Sequence, residues 1–290
     1  MNTGSYLLTS TRPILHSISF TVRTQDGQRV FSMTRPLLKE PRRFAPLGED
    51  AGGDSPELKG IVFDVDGTLC IPQTWMFGQM RSALGINKRV DILDHIHSLP
   101  TAEQEAAQEK IRAIERSAMS SQEPQPGLVS LMEYLESRNI PKGICTRNFD
   151  APVTHLLEKF LTGKEFKPIV TREFKPPKPS PAGILHIAKS WGFLEKDGGS
   201  GDASQLIMVG SSTVTAGYAA GAATVLLVNE GNVHLANHEH TDLIVSRLDE
   251  LIEILEKGFV GKIGRGEDSD TRVRAEGVLQ DGMAEAVTTK

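Results

Sequence analysis

The sequence has little cysteine: Cys70 and Cys145 are the two thiols among 290 residues. A disulfide-stapled secreted scaffold is therefore excluded. Long apolar runs are missing too. None approaches the ~18 residues needed to cross a bilayer, so no membrane partner is expected. Excess positive charge is absent, and a net charge of −5 argues against a general nucleic-acid binder. What is present excludes wholesale disorder. Hydrophobic residues make up 39% and charged residues 24%, a globular composition. The length of 290 residues allows roughly two domains.

The charge is unevenly spread. Residues 1–46 hold seven basic and two acidic side chains, a balance of +5, which leaves −10 for the other 244. This segment is Arg-rich, acid-poor and well supplied with Ser and Thr, the composition of an organellar transit peptide with a mitochondrial address. The alternatives are a cytoplasmic protein whose extension carries no address, or a start at Met33. Residues 47–57 are dominated by Gly, Asp, Ser and Pro and read as linker. The whole of 1–57 is thus expected to be disordered leader and linker. At the other end, residues 258–290 mix Gly with both charge signs without a period and read as a flexible tail.

The middle holds the fold. Leu58 to Val65 is a short apolar run ending in polar residues, as a buried parallel strand would be. Similar runs follow at Lys142–Thr146, Pro168–Thr171, Gln205–Gly210, Ala223–Asn229 and Asp242–Ser246. Helical patterns lie between them. Leu128, Leu131, Met132 and Leu135 share one face, as do Ile184, Ile187 and Ala188, and then Leu251, Ile252 and Leu255. Alternating strands and helices predict an α/β fold with a doubly wound parallel sheet, 58–70 and 124–257, whose ligands bind beyond the carboxyl ends of the strands. Residues 71–123 break the alternation with helical signals alone. Met76, Met80 and Leu84 are spaced by four. Val90, Leu93, Ile96 and Leu99 are spaced by three. Thr101 and Gln104 form a capping-box pattern before a helix through Met119. An insertion emerging at the carboxyl end of the first strand is placed to act as a small helical cap.

The most specific chemical signal is Asp64-Val65-Asp66-Gly67-Thr68, at the end of that strand. Average composition gives such an Asp-x-Asp-Gly-Thr string in only about three of a thousand chains this long. Two carboxylates this close need neutralisation, usually by a metal ion. One can attack an electrophile while the other manages a proton. Gly67 lets backbone N–H groups approach a phosphate, and Thr68 adds a hydroxyl.

These residues resemble the first motif of the haloacid dehalogenase-like hydrolase superfamily. The resemblance spans residues 58–257. Ile144-Cys145-Thr146, followed by Arg147 and Asn148, fits the second motif. Lys178-Pro-Ser-Pro181 fits the third, with Lys175 as a competitor. The resemblance implies Asp64 as nucleophile, forming an aspartyl-phosphate. Asp66 would protonate the leaving alcohol and then activate water. Gly67, Thr68, Thr146, Arg147 and Lys178 would bind phosphate. Mg²⁺ would sit on Asp64, the Asp66 carbonyl and an acid of the fourth motif. A second Asp marks phosphoryl transfer, because a halide leaving group needs no proton. The implied partner is a small phosphorylated metabolite, since a cap leaves little room for a protein.

The fourth motif departs from that pattern. After the Leu206–Val209 strand comes Gly210-Ser211-Ser212-Thr213-Val214, with no carboxylate, and the spacing to the Ala/Gly helix beginning near Thr215 is about two residues short. Asp202 lies at the wrong end of the strand, and Glu230 lies beyond the next one. Ser211 offers a neutral oxygen in place of the acid. Losing a charged ligand weakens a Mg²⁺ site, so weak or absent activity is expected. Either the chain is a pseudoenzyme that binds phosphate-like ligands, or a misplaced splice junction has removed an acidic segment. Elsewhere, His234, His238 and His240 have a spacing that metal can use, although surface histidines in a polar loop explain them more simply. Trp75, Met76 and Phe77 fit a pocket under the cap or ordinary packing.

Overall fold

The computed structural model describes residues 18–24, 27–33, 42–48, 55–193, 203–212 and 214–261. The chain divides into two units, Met1–Glu40 and Pro41–Lys290. The first holds an antiparallel hairpin of β1 (Ile18–Thr24) and β2 (Gly27–Met33), with Phe20 opposite Phe31. This corrects the expectation of a leader without structure. Ile18, Phe20, Val22, Val30 and Phe31 are strand formers, and two such runs a few residues apart pair readily. Residues 1–17, 25–26 and 34–41 lie outside the described residues.

The second unit is built on a six-stranded parallel sheet in the order β5-β4-β3-β6-β7-β8. Its strands are β3 (Gly60–Phe63), β4 (Lys142–Cys145), β5 (Ile169–Val170), β6 (Leu206–Gly210), β7 (Ala223–Leu227) and β8 (Leu243–Val245). All four residues of β3 are buried, as are all five of β6 and of β7, because helices cover both faces. One face packs Phe63, Ile144, Val209 and Val225 against Leu131, Leu135 and Leu255. The other packs Val62, Met208 and Cys145 against Ile184, Ile187 and Ala216. Among the described residues, no helix is long and apolar enough to cross a membrane.

Three helices form the insertion: α1 (Thr74–Leu84), α2 (Ile92–Ser98) and α3 (Thr101–Met119). They share a small core of Met76, Met80, Ile92, Leu93, Ile96, Ala107 and Ile111. Backbone contacts close its base. Cys70 bridges to Pro124, and the Ile71 N–H donates to the Glu123 carbonyl at 2.9 Å. The expected capping box does not form. Pro100 occupies the N-cap of α3, and the Gln104 amide instead donates to the Leu99 carbonyl at 2.9 Å. Asp91 caps α2 properly, accepting from the N–H groups of Leu93 and Asp94.

The remaining helices cover the sheet: α4 (Leu128–Ser137), α5 (Asp150–Phe160), α6 (Ala182–Ser190), α7 (Val214–Ala219) and α8 (Glu250–Lys257). Helix α7 lies so close to β6 that a Cβ on Gly217 would stand 2.7 Å from that of Met208. Both predicted flanks are corrected inward. Phe44 and Phe259 are buried with ring centroids 5.6 Å apart, and Arg43 bridges to Val260. Burying two Phe side chains outweighs the polar composition around them. Residues 262–290 and Asp202 lie outside the described residues.

Candidate active site

The chain leaves β3 for β4 on one side and returns to β6 on the other, so the sheet's switch point lies between β3 and β6. Asp64 follows β3 at this point, and its N–H donates to the Val209 carbonyl at 3.0 Å. Its side chain is buried. One carboxylate oxygen, Oδ1, takes the Val65 N–H at 2.8 Å and stands 2.7 Å from Lys178 Nζ. Charges this deep are held only when paired. Spacing left Lys175 and Lys178 open, and the structure separates them. Lys178 meets Asp64, whereas Lys175 lies 3.0 Å from His97 Nε2 at the surface.

Asp66 is half-buried. Burial, helped by the Asp64 charge, pushes its carboxyl up to about 7, against a weaker opposing hydrogen bond from the Asn148 side chain. It can therefore carry or release a proton near neutrality. The turn after it is tight. The Val65 carbonyl accepts from the N–H groups of Thr68 and Leu69 at 3.1 and 2.9 Å. Gly67 adopts φ 71°, and a Cβ there would stand 2.5 Å from Ser211 Oγ. Gln125, which motif reasoning missed, clamps the turn by donating to the carbonyls of Gly67 and Cys70 at 3.1 and 3.3 Å. Thr68 is buried, and its hydroxyl oxygen has no partner.

Thr146 is buried at the end of β4, and its Oγ1 accepts the Asn148 N–H at 3.2 Å. Arg147 goes elsewhere. Its Nη2 lies 2.8 and 2.7 Å from the two carboxylate oxygens of Asp91, at the N-cap of α2. In this arrangement Arg147, expected to bind phosphate, ties the insertion to the core. A second tie is deeper. Arg172 Nη2 meets Glu115 Oε2 at 2.6 Å, both side chains buried, with Phe149 over the guanidinium. Burial raises the Glu115 carboxyl, and Arg172 opposes that rise. Neither pair was visible in sequence, because each joins residues 56 or 57 positions apart.

The two thiols are poor nucleophiles. Burial pushes Cys145 up to about 11 and Cys70 higher still. In the late loop, His240 stacks on Tyr218 at 4.0 Å between ring centroids. Among the described residues, no three His, Cys, Asp or Glu side chains gather to hold a metal ion.

Ser211 stands where the fourth-motif acid is expected. Its hydroxyl donates to the Asp66 carbonyl at 2.9 Å, and Asn232 holds its own carbonyl at 2.7 Å. The Ser211 oxygen and the Asp66 carbonyl thus have the spacing of neighbouring ligands on an octahedral Mg²⁺, roughly 2.9 Å for bonds of 2.0–2.1 Å. With the Asp64 carboxylate, the donor set fits Mg²⁺ with one charged ligand. That is the low end of what the ion takes. The Ser211 hydroxyl must also turn its hydrogen away from the carbonyl to serve.

A small cleft adjoins Asp66 on the insertion side, with a cavity volume of about 10 Å³, room for about one water. Asp66, Gln73, Glu115, Gln122 and Asn148 supply its polar wall, and Met76, Ala118 and Pro152 its apolar wall. Met76 borders this cleft and is also buried in the insertion's core, which is the ordinary packing alternative. Trp75 is 45% exposed, and Phe77 packs within the insertion.

The sequence profile of a family described as haloacid dehalogenase-like hydrolase matches residues 58–223. An uncharacterized hydrolase of Saccharomyces cerevisiae is 44% identical over 205 residues, 69% of this chain and 90% of the yeast protein. Two solved structures share the fold. A HAD hydrolase of family IA, variant 3, from Entamoeba histolytica has a TM-score of 0.56 at 21% identity, covering 68% of this chain and 97% of its own. A predicted phosphoglycolate phosphatase from Haemophilus somnus has a TM-score of 0.51 at 17% identity, covering 68% and 97%. With its parallel sheet, its Asp64–Lys178 pair and a profile match over more than half its length, the chain belongs to the haloacid dehalogenase-like hydrolase family.

Proposed function

We propose that the chain is a phosphatase-type hydrolase acting on a small phosphate monoester through an aspartyl-phosphate on Asp64. The observation that carries this reading is the buried Asp64–Lys178 pair beside a carboxyl raised to about 7. Lys178 fixes the Asp64 carboxylate at the sheet's switch point and offers positive charge to an incoming phosphoryl group. Asp64 attacks phosphorus and the ester oxygen leaves. Protonated Asp66 gives that oxygen its proton, then takes one from the water that releases phosphate. Thr146 and the turn at Gly67 and Thr68 donate to phosphoryl oxygens. Asp64, the Asp66 carbonyl and Ser211 would hold Mg²⁺, which when bound supplies charge neutralisation between carboxylate and phosphate. The insertion covers the site as a cap and restricts the substrate to small molecules.

One charged ligand makes the Mg²⁺ site weak, so turnover of the chain is low. The Ser211–Asp66 hydrogen bond also favours a second reading, a non-catalytic protein that binds phosphate-like ligands on the same fold. A Mg²⁺ titration of p-nitrophenyl phosphate turnover by the purified full chain separates the two. Slow turnover that saturates only at high Mg²⁺, is abolished in Asp64→Asn and rises in Ser211→Asp supports the enzyme. Phosphate binding without turnover in any variant supports the binder. Turnover unaffected by Asp64→Asn overturns both.

A further inference from the structure

A groove of about 560 Å³ opens at the other end of the sheet, away from Asp64. It lies across the amino ends of β4 and β5, where Lys142 starts one strand and Lys167 precedes the other. Lys142 and Thr146 stand at opposite ends of β4, and strand geometry of about 3.3 Å per residue puts roughly 13 Å between them. The groove is therefore separate from the active site, and its volume is that of a small-molecule pocket. Trp191 gives it a fixed aromatic wall. The indole N–H donates to the Lys167 carbonyl at 2.7 Å. The ring packs so closely on the sheet that a Cβ on Gly60 would stand 2.5 Å from it, and one on Gly143 3.2 Å. Ile140 and Pro141 add apolar lining.

Charge is what the groove leaves unmatched. Three amines share two carboxylates. Lys167 pairs with Glu165 at 2.5 Å, and Lys164 pairs with Glu136 at 2.7 Å. Lys142 is the third. Its side chain is 5% exposed, yet its ammonium makes one hydrogen bond among the described residues, to Glu136 at 3.3 Å, with the Phe166 ring 5.9 Å away. An ammonium has three N–H donors, and a buried charge is held well only when it is paired and hydrogen-bonded. Glu136 is already engaged by its shorter bond to Lys164. Lys142 thus has donors left for an anion that enters the groove.

We propose that this groove is a second binding site, which takes a small aromatic anion with its charged group on Lys142 and its flat ring against Trp191. A neutral ring gains Trp191 alone, and a small anion gains Lys142 alone. A ligand that carries both binds more tightly than either half. None of the lining residues takes part in the phosphatase reading, so either can fail without the other.

The test uses the chain's own tryptophan. Trp75 and Trp191 are the two in the sequence, so Trp75→Phe in the full chain leaves Trp191 as the reporter. AMP and adenosine, which differ by the phosphate, are titrated while Trp191 emission is followed, without Mg²⁺ so that AMP is not consumed. AMP is expected to change the emission saturably and to bind at least about tenfold more tightly than adenosine, the gain of one charge-assisted hydrogen bond. Ribose 5-phosphate, which lacks the ring, is expected to displace AMP at least about tenfold less well than AMP itself. Adding Lys142→Met brings AMP to within about threefold of adenosine, and Glu136→Gln, which frees the ammonium from its competitor, tightens AMP at least about twofold with adenosine unchanged. If Lys142→Met does not fold, Glu136→Gln carries the test, since its half-buried side chain leaves the core intact. No saturable change in Trp191 emission up to about 10 mM AMP, a range that covers even millimolar affinity, overturns the proposal. So does adenosine or ribose 5-phosphate binding as well as AMP, or an AMP affinity that none of the folded variants moves.

Discussion

Replacing Lys178 by methionine keeps most of the buried stem and removes the charge. Its Nζ stands 2.7 Å from Asp64 Oδ1, with the two side chains 2% and 8% exposed. At that separation the attraction is about 6 kcal/mol for an effective dielectric constant of about 20. Part of this is offset, because methionine needs no desolvation. Breaking one side of a buried pair costs about 3–5 kcal/mol, mostly through the charge left behind. Asp66 lies close enough to feel the Asp64 charge, which favours the upper part of that range. For a domain of about 200 residues the loss lowers Tm by roughly 6–20 °C. The assay is urea unfolding at pH 7, followed by circular dichroism, of the full chain, Lys178→Met, Asp64→Asn and the double variant. The double variant leaves no stranded charge, so it should be more stable than Lys178→Met by about 2 kcal/mol or more. A Lys178→Met chain within about 1 kcal/mol of the original, or a double variant no more stable than the single, would refute the reasoning.

Three further outcomes follow from the site. The folded Asp66 carboxyl, raised to about 7 against an ordinary value near 3.8, holds its proton more tightly than the unfolded chain does. Its contribution to stability is therefore present below about pH 4 and is lost as pH rises to 7. Asp66→Asn should remove that slope and gain about 1–3 kcal/mol over the original chain at pH 8, with no gain at pH 4. Turnover, read as a pH–rate profile, should fall above about pH 7 as the leaving group's proton donor ionises. Gly67→Ala should cost at least about 2 kcal/mol in thermal unfolding, because φ is positive and the new Cβ meets Ser211 Oγ. Ser211→Ala should recover only the steric part.

How much of this was legible in the sequence depends on the range of the interaction that fixes each feature. The six sheet strands followed from apolar runs, since a strand buried on both faces must be apolar throughout. Asp64, Asp66, Gly67 and the Asp64 partner Lys178 followed from motif order, and the structure gathers them at the switch point. Arg147 shows where motif reasoning stops. Its position in sequence suits a phosphate, and motif order gave no sign of the Asp91 carboxylate that the insertion brings to it. Glu115–Arg172, Gln125 and Asn232 were out of reach for the same reason, as their partners are set by packing between distant segments. Phe44 and Phe259 were hidden by polar neighbours, because an isolated aromatic residue has no period to betray it. The Thr101 capping box failed locally: Pro100 took the cap and Gln104 turned to the carbonyls before it.

The most direct test of the account is to find where a phosphoryl group goes. The full chain and its Asp64→Asn and Asp66→Asn variants are incubated with acetyl phosphate and Mg²⁺, quenched in acid and mapped by peptide mass spectrometry. The account predicts one phosphorylated side chain, Asp64, absent in Asp64→Asn and more abundant in Asp66→Asn, where no carboxylate remains to activate water. Phosphate on a different residue, or none on Asp64 in a chain that turns the substrate over, would contradict it.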